Sequence, residues 1–247
     1  MPSESARAAE RAPTGGYVVR WQALPGPCAR ASTALDGGAQ VDAAMDARPW
    51  LILLDAGGVG DAVAQVLAMR GEASVRIPRR DRRACGVSDG GVSEADDLRR
   101  TLEQRAGECR GVLFLWPLDV ALAGDEIAAG ADCLAALLGV VQALALVGGA
   151  HPPRLWIVTR GAQCVTARET GRAPQAAVWG LGRVIATEHP ELWGGLVDLD
   201  PSGRTFADAR NVCDAIAAGG AEDQQAYRAG VRYGARLVSR PDAPHGA

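Results

Sequence analysis

Apolar residues in this chain follow two alternating patterns: short uninterrupted runs, and longer stretches in which they recur every three or four positions. The runs predict buried strands, and the periodic stretches predict helices packed on them. YVVRWQAL at 17–24 predicts a first strand, stopped by PGP at 25–27, and residues 28–48 carry no regular pattern. PWLILLDAGGVGDAVAQVLAMRG at 49–71 predicts a strand, a glycine turn and a helix with Val59, Val63, Val66 and Leu67 on one face. Residues 73–77 predict a short strand, followed by a polar loop, RRDRRACGVSDGG. Ser93 is placed to cap a helix that turns Ala95, Leu98 and Leu102 inward. Beyond it come a strand at 111–116, a long helix near 126–148, a strand at 154–159 and a last helix at 206–218. Two strand-like runs around Gly230 predict pairing at an edge of the sheet.

The clearest unit is PQAAVWGLGRVIATEHPELWGGLVDLD at 174–200. Pro174 opens a helix whose Val178, Leu181 and Ile185 share a face, widened by Ala177 and Val184. Gly180 and Gly182 weaken that helix and predict close approach of another backbone. Pro190 ends it, Trp193 to Gly195 form a turn, and Leu196, Val197 and Leu199 a central strand. Strands separated by helices predict an α/β fold with a mainly parallel sheet covered on both faces. The expected organisation is one domain over 16–240, with a flexible linker at 1–15 and an exit linker at 241–247.

Composition narrows the chemistry. The net charge of -3 argues against a nucleic-acid-binding role. All 26 basic residues are arginine, so no lysine is present for a phosphate loop, a Schiff base or a tyrosine-lysine couple. Cys28, Cys85, Cys109, Cys133, Cys164 and Cys213 form no CxxC pair and read as reduced, mostly core thiols; no metal site is expected. The N-terminal segment has no apolar signal core, which predicts a cytoplasmic location. The apolar stretch 133–150 approaches the length of a membrane span, yet Gln142 near its middle and its place among alternating strands and helices predict a buried helix or one facing a partner subunit.

Candidate chemistry is sparse. In GGVGDAV at 57–63, Gly58 and Gly60 fill two positions of a dinucleotide fingerprint, but Val63 takes the third and Asp61 brings negative charge to the phosphate position. Arg76 and Arg79 would suit a 2′-phosphate, while a vestigial structural turn is the plainer reading. The positions four after Tyr17, Tyr227 and Tyr233 hold Trp21, Val231 and Leu237, so no YxxxK proton-donor couple exists. No GxSxG is present; His151, His189 and His245 are the available imidazoles, and His189 before Pro190 reads as a helix-end residue. Asp198 and Asp200 share a strand face and read as a solvated strand end. Arg76, Arg79, Arg80, Arg82 and Arg83 are a candidate contact for an acidic carrier protein or a neighbouring domain, against the plainer reading of a solvated loop. Trp116, Trp156, Trp179 and Trp193 read as core or interface packing.

The block at 174–200, together with RLWIVTRGA at 154–162, GVLFLWPLD at 111–119 and DQQAYRAGVRYGARLV at 223–238, resembles the structural half of modular polyketide synthase ketoreductases. The resemblance implies a truncated Rossmann-like subdomain that supports a catalytic subdomain carrying the NADPH site and the catalytic residues. No catalytic, cofactor-binding or metal-binding residue is therefore assigned to this chain. The complete domain is expected to reduce carrier-bound β-ketoacyl thioesters with NADPH, with the catalytic subdomain, neighbouring synthase domains and an acyl carrier protein as partners. A relic subdomain that scaffolds adjacent domains is a variant of the same reading. The alternatives are an independent NAD(P)-binding oxidoreductase using the turn at 57–60, and a self-associating module built on the 133–150 helix.

Overall fold

The computed structural model describes residues 16–25, 47–79, 94–120, 124–147, 152–171, 173–218 and 222–239. The expected linkers at 1–15 and 241–247, most of 28–48, the Ser93 cap, Cys28, Cys85, Arg80, Arg82, Arg83, His151 and His245 lie outside those residues.

The elements follow in the order β1 (Tyr17–Ala23), β2 (Trp50–Leu53), α1 (Val59–Met69), β3 (Ser74–Ile77), α2 (Glu94–Arg105), β4 (Gly111–Phe114), α3 (Pro117–Val120), α4 (Glu126–Val147), β5 (Arg154–Arg160), α5 (Ala173–Glu188), β6 (Trp193–Leu199), α6 (Thr205–Ala218), β7 (Gln224–Arg228) and β8 (Val231–Ser239). They build one sheet in the order β3-β2-β4-β5-β6-β7-β8-β1. The strands from β3 to β7 run parallel, and β8 lies antiparallel to both β7 and β1. This is the α/β, mainly parallel sheet that the patterning predicts, and the Rossmann-like fold that the resemblance implies. The predicted hairpin around Gly230 forms, but it is not the outer edge: β1 pairs along β8 and takes that place.

Helices cover both faces. α1 and α6 enclose a core of Val63, Leu67, Leu113, Val158, Val197 and Val212, among others. On the opposite face α2, α4 and α5 bury Leu98, Leu102, Leu137, Leu144, Val178 and Ile185 against Phe114 and Leu196. Near-continuous apolar strands are the consequence of burial on two sides, as in β4 and β6, where every residue is buried. Trp116, Trp156, Trp179 and Trp193 are all core residues, and Cys109, Cys133 and Cys213 are buried thiols, whereas Cys164 is exposed. Burial pushes the Cys133 thiol up to about 12 and so holds it protonated. α4 is long and apolar enough to cross a membrane by length and composition, and half of its apolar window is buried in this core.

Three expectations for the 174–200 unit are corrected. Ala177 and Val184 are exposed, because the buried stripe of α5 instead takes Gln175, Val178, Trp179, Gly182 and Ile185. A Cβ on Gly180 would meet no other part of the chain within 4 Å, and one on Gly182 would touch the Leu196 side chain at 3.0 Å, not a backbone. Trp193, Gly194 and Gly195 belong to β6 rather than to a turn. The glycines are needed there because the Trp156 indole packs against the strand: a Cβ on Gly194 would sit 2.5 Å from its Nε1 and one on Gly195 2.8 Å from its Cζ3.

Candidate functional site

In an open parallel sheet, ligands settle outside the carboxyl ends of the strands, where strand order reverses. Here the chain leaves β2 for β3 on one side and then returns to β4 on the other, so the crevice lies between the ends of β2 and β4. The glycine turn between β2 and α1 occupies it. Gly58 has φ 82, a left-handed conformation that suits glycine. The amides of the first turn of α1 point into the crevice, as they would toward a pyrophosphate.

Two of those amides, Val59 N and Gly60 N, are already taken. Asp55, only 7% exposed, accepts from Val59 N at 3.1 Å and from Gly60 N at 2.7 Å. Asp119, carried by α3 after β4, accepts from Ala56 N at 2.8 Å. Gly60 is close-packed for the same reason: a Cβ would lie 2.7 Å from Leu54 Cδ2 and 3.3 Å from Asp55 Oδ1. Two carboxylates thus stand where phosphate oxygens would have to stand, and the turn does not fit a dinucleotide pyrophosphate. Burial, and secondarily the charge of Asp55, raise the Asp119 pKa against the pull of Ala56 N and Arg79.

The charge expected from Asp61 is displaced: its carboxylate turns to Arg76 at 3.1 Å on the surface. Arg79, the other candidate for a 2′-phosphate, lies over the Trp116 ring at 4.9 Å and 3.7 Å from Asp119. The described part of the arginine cluster is therefore engaged within the chain.

A second polar assembly closes the ends of β5, β6 and β7. Asp198 is completely buried, not solvated as its place in the sequence suggests. Its Oδ1 accepts from Thr159 Oγ1 at 2.6 Å and Ala162 N at 2.9 Å, and its Oδ2 from Arg228 Nη2 at 2.6 Å. Arg228, 5% exposed, also donates to Glu169 at 2.9 Å and to the carbonyls of Gln163, Tyr227 and Leu199. Burial pulls the Arg228 pKa down, but Asp198 and Glu169 outweigh it and the net shift is upward, so the guanidinium stays charged. Asp200 accepts from Ala229 N at 2.6 Å and from Ser202, and Arg160 joins Asp208 at 2.7 Å.

The remaining sequence candidates are not brought together. Tyr227 is buried under the β7–β8 hairpin, Tyr17 is exposed on the edge strand, and Tyr233 is half-buried on β8. His189 meets Glu191 at 3.2 Å beyond the end of α5. Among the described residues, no cluster of three or more potential metal ligands occurs. Asp55, Asp119 and Arg228 are the residues that sequence reasoning missed. A carboxylate two residues ahead of the GGVG turn was the one available signal, since it is spaced to cap the helix that follows.

Comparison with known proteins agrees with this architecture. Residues 19–237 match the family model described as the Rossmann fold domain of the polyketide synthase extender module SpnB. The chain is 39% identical over 189 residues, 74% of its length, to polyketide synthase GfsA of Streptomyces halstedii. It is 36% identical, in an alignment of 265 positions that covers 93% of its length, to polyketide synthase GfsB of the same organism. It spans 2% of the first and 4% of the second. Among solved structures, it is similar to the first ketoreductase of the tylosin PKS, with a TM-score of 0.60 and 27% identity over 93% of this chain and 42% of that one. A C2-type ketoreductase from a modular polyketide synthase gives a TM-score of 0.58 and 29% identity, over 91% of this chain and 43% of that one.

Proposed function

We propose that this chain, which belongs to the Rossmann-fold domain family of polyketide synthase extender modules, serves as the noncatalytic structural subdomain of a ketoreductase region. The observation that carries the reading is the β2–α1 turn, whose amides are spent on Asp55 and Asp119. No residue of this chain is assigned a catalytic, cofactor-binding or metal-binding role. NADPH and the reduction of a carrier-bound β-ketoacyl thioester belong to the complete domain, through a catalytic subdomain that this chain supports. The subdomain spans 16–240, flanked by linkers at 1–15 and 241–247, and works in the cytoplasm beside neighbouring synthase domains and an acyl carrier protein. The uncovered side of α4 and α5 supports a docking role: Ile127, Leu138, Leu146 and Val184 are exposed apolar residues there.

The test is NADPH oxidation with a β-ketoacyl thioester, using the chain alone and then mixed with a separately expressed catalytic half. Activity only in the mixture supports a structural partner, and activity of the chain alone overturns the reading. Silence in both, with the same catalytic half active when fused to a known structural half, replaces it with the relic scaffold. The exposed face of α4 also favours a second reading, self-association. A strict monomer in sedimentation at high concentration rules that out.

A further inference from the structure

A cavity of about 350 Å³ lies between α6 and the β7–β8 hairpin, on the sheet face opposite α5 and remote from the β2–α1 turn. We propose that this cavity binds a small amphipathic carboxylate. The case rests on donors that the fold leaves unused. Arg232 is held by a single bond, Nε to Gln225 Oε1 at 2.9 Å, which fixes the plane of its guanidinium. Its two terminal nitrogens have no partner among the described residues, and Arg232 lines the cavity. Asn211, on α6, also lines the cavity and has no hydrogen-bond partner among the described residues. A guanidinium edge plus a carboxamide N–H is a donor set suited to a planar carboxylate.

The charge balance agrees. Asp214 lines the cavity, but its carboxylate holds Arg70 at 2.5 Å. Glu222, whose charge also acts on Arg232, is held by both terminal nitrogens of Arg236 at 2.8 and 2.5 Å. With Asp214 paired to Arg70 and Glu222 to Arg236, the charge of Arg232 has no bonded carboxylate among the described residues. The other walls are apolar: Leu24, Val231 and the ring of Tyr227, a residue only 5% exposed. The volume lies at the small end of ligand pockets, roughly 300–1,000 Å³, so it suits a compact body such as a single ring or short chain.

The test titrates the isotopically labelled chain with benzoate and, separately, with benzamide, following the backbone amide shifts of Gly230, Val231 and Arg232. Saturable shifts with benzoate, and binding of benzamide weaker by about tenfold or more, are expected if one charge-assisted contact is lost. Arg232→Gln and Asn211→Ala should each weaken benzoate by a similar factor. Asn211→Ala keeps the test decisive if Arg232→Gln disturbs the hairpin, since the Asn211 amide supports no internal bond among the described residues. Failure of benzoate to saturate, equal binding of benzamide, or unchanged affinity in a folded Asn211→Ala variant would each overturn the proposal.

Discussion

The β2–α1 turn and the β5–β6–β7 cluster lie at the same end of one sheet, and each is closed by a buried aspartate, but through different partners. Asp55 accepts from backbone amides at the start of a helix, so its charge rests on donors that a bound phosphate would use. Asp198 is neutralised by the side chain of Arg228, contributed by a strand two positions further along the sheet order from β5. The first closure is local and replaces a ligand; the second is long-range and fastens three strands together. The sheet end of this chain is thus filled in two ways, one of which occupies a crevice and one of which adds a brace.

Breaking the brace should cost most. Arg228→Met leaves Asp198 and the carbonyls of Gln163 and Leu199 without their cation, and removal of one partner from a buried pair typically costs about 3–5 kcal/mol. Urea unfolding should show that loss, and Asp198→Asn combined with Arg228→Met should cost less than the two single changes added together. Strict additivity would mean that the pair is not coupled.

Opening the turn should cost less but reveal more. Asp55→Ala strips the acceptors from Val59 N and Gly60 N, worth about 1–3 kcal/mol by the usual cost of a lost cap and orphaned buried donors. Because the amides are then free, pyrophosphate should raise the unfolding midpoint of Asp55→Ala more than that of the wild type. Equal protection of both proteins would show that Asp55 is not what excludes anions from the crevice.

The two closures were not equally legible in the sequence. The apolar face of α1, Val59, Val63, Val66 and Leu67, was readable because helix period and burial are local properties, and all four residues are buried. The incomplete fingerprint at 57–63 was readable as weak, but its occupant was not: Asp55 looks like the polar end of LILLD, and Asp119 reaches the turn across a gap of 63 residues. Arg228 in QQAYRAGVRYG carries no mark that separates it from Arg232 or Arg236, since its burial comes from Asp198 and Glu169, brought in by other elements. For the same reason Asp198 looks solvated in the sequence, although two-sided packing buries it completely. Periodicity reports which face is covered; it does not report which polar groups meet beneath the cover.

Acid titration sharpens the contrast, because Glu169 beside the Arg228 brace and Asp119 at the turn are shifted in opposite directions. Burial pushes the Glu169 pKa up, but Arg228, Thr166 and Val165 N outweigh it and hold the carboxyl below 4.5. A depressed folded value means that the Arg228 contact contributes its full stability above 4.5 and loses it as pH falls through the folded value. Asp119 is raised, by burial first and then by Asp55, with Ala56 N and Arg79 opposing, so its contribution has the reverse sign: it favours the native state at low pH and fades as pH rises through the raised value. With unfolding midpoints followed from about pH 7 down to about pH 3, the advantage of wild type over Glu169→Gln should shrink on acidification. The difference between wild type and Asp119→Asn should instead move in the wild type's favour, since protonation removes a buried charge that asparagine never carried. Parallel behaviour of the two variants would break the distinction between a brace held by charge and a turn closed by buried acceptors.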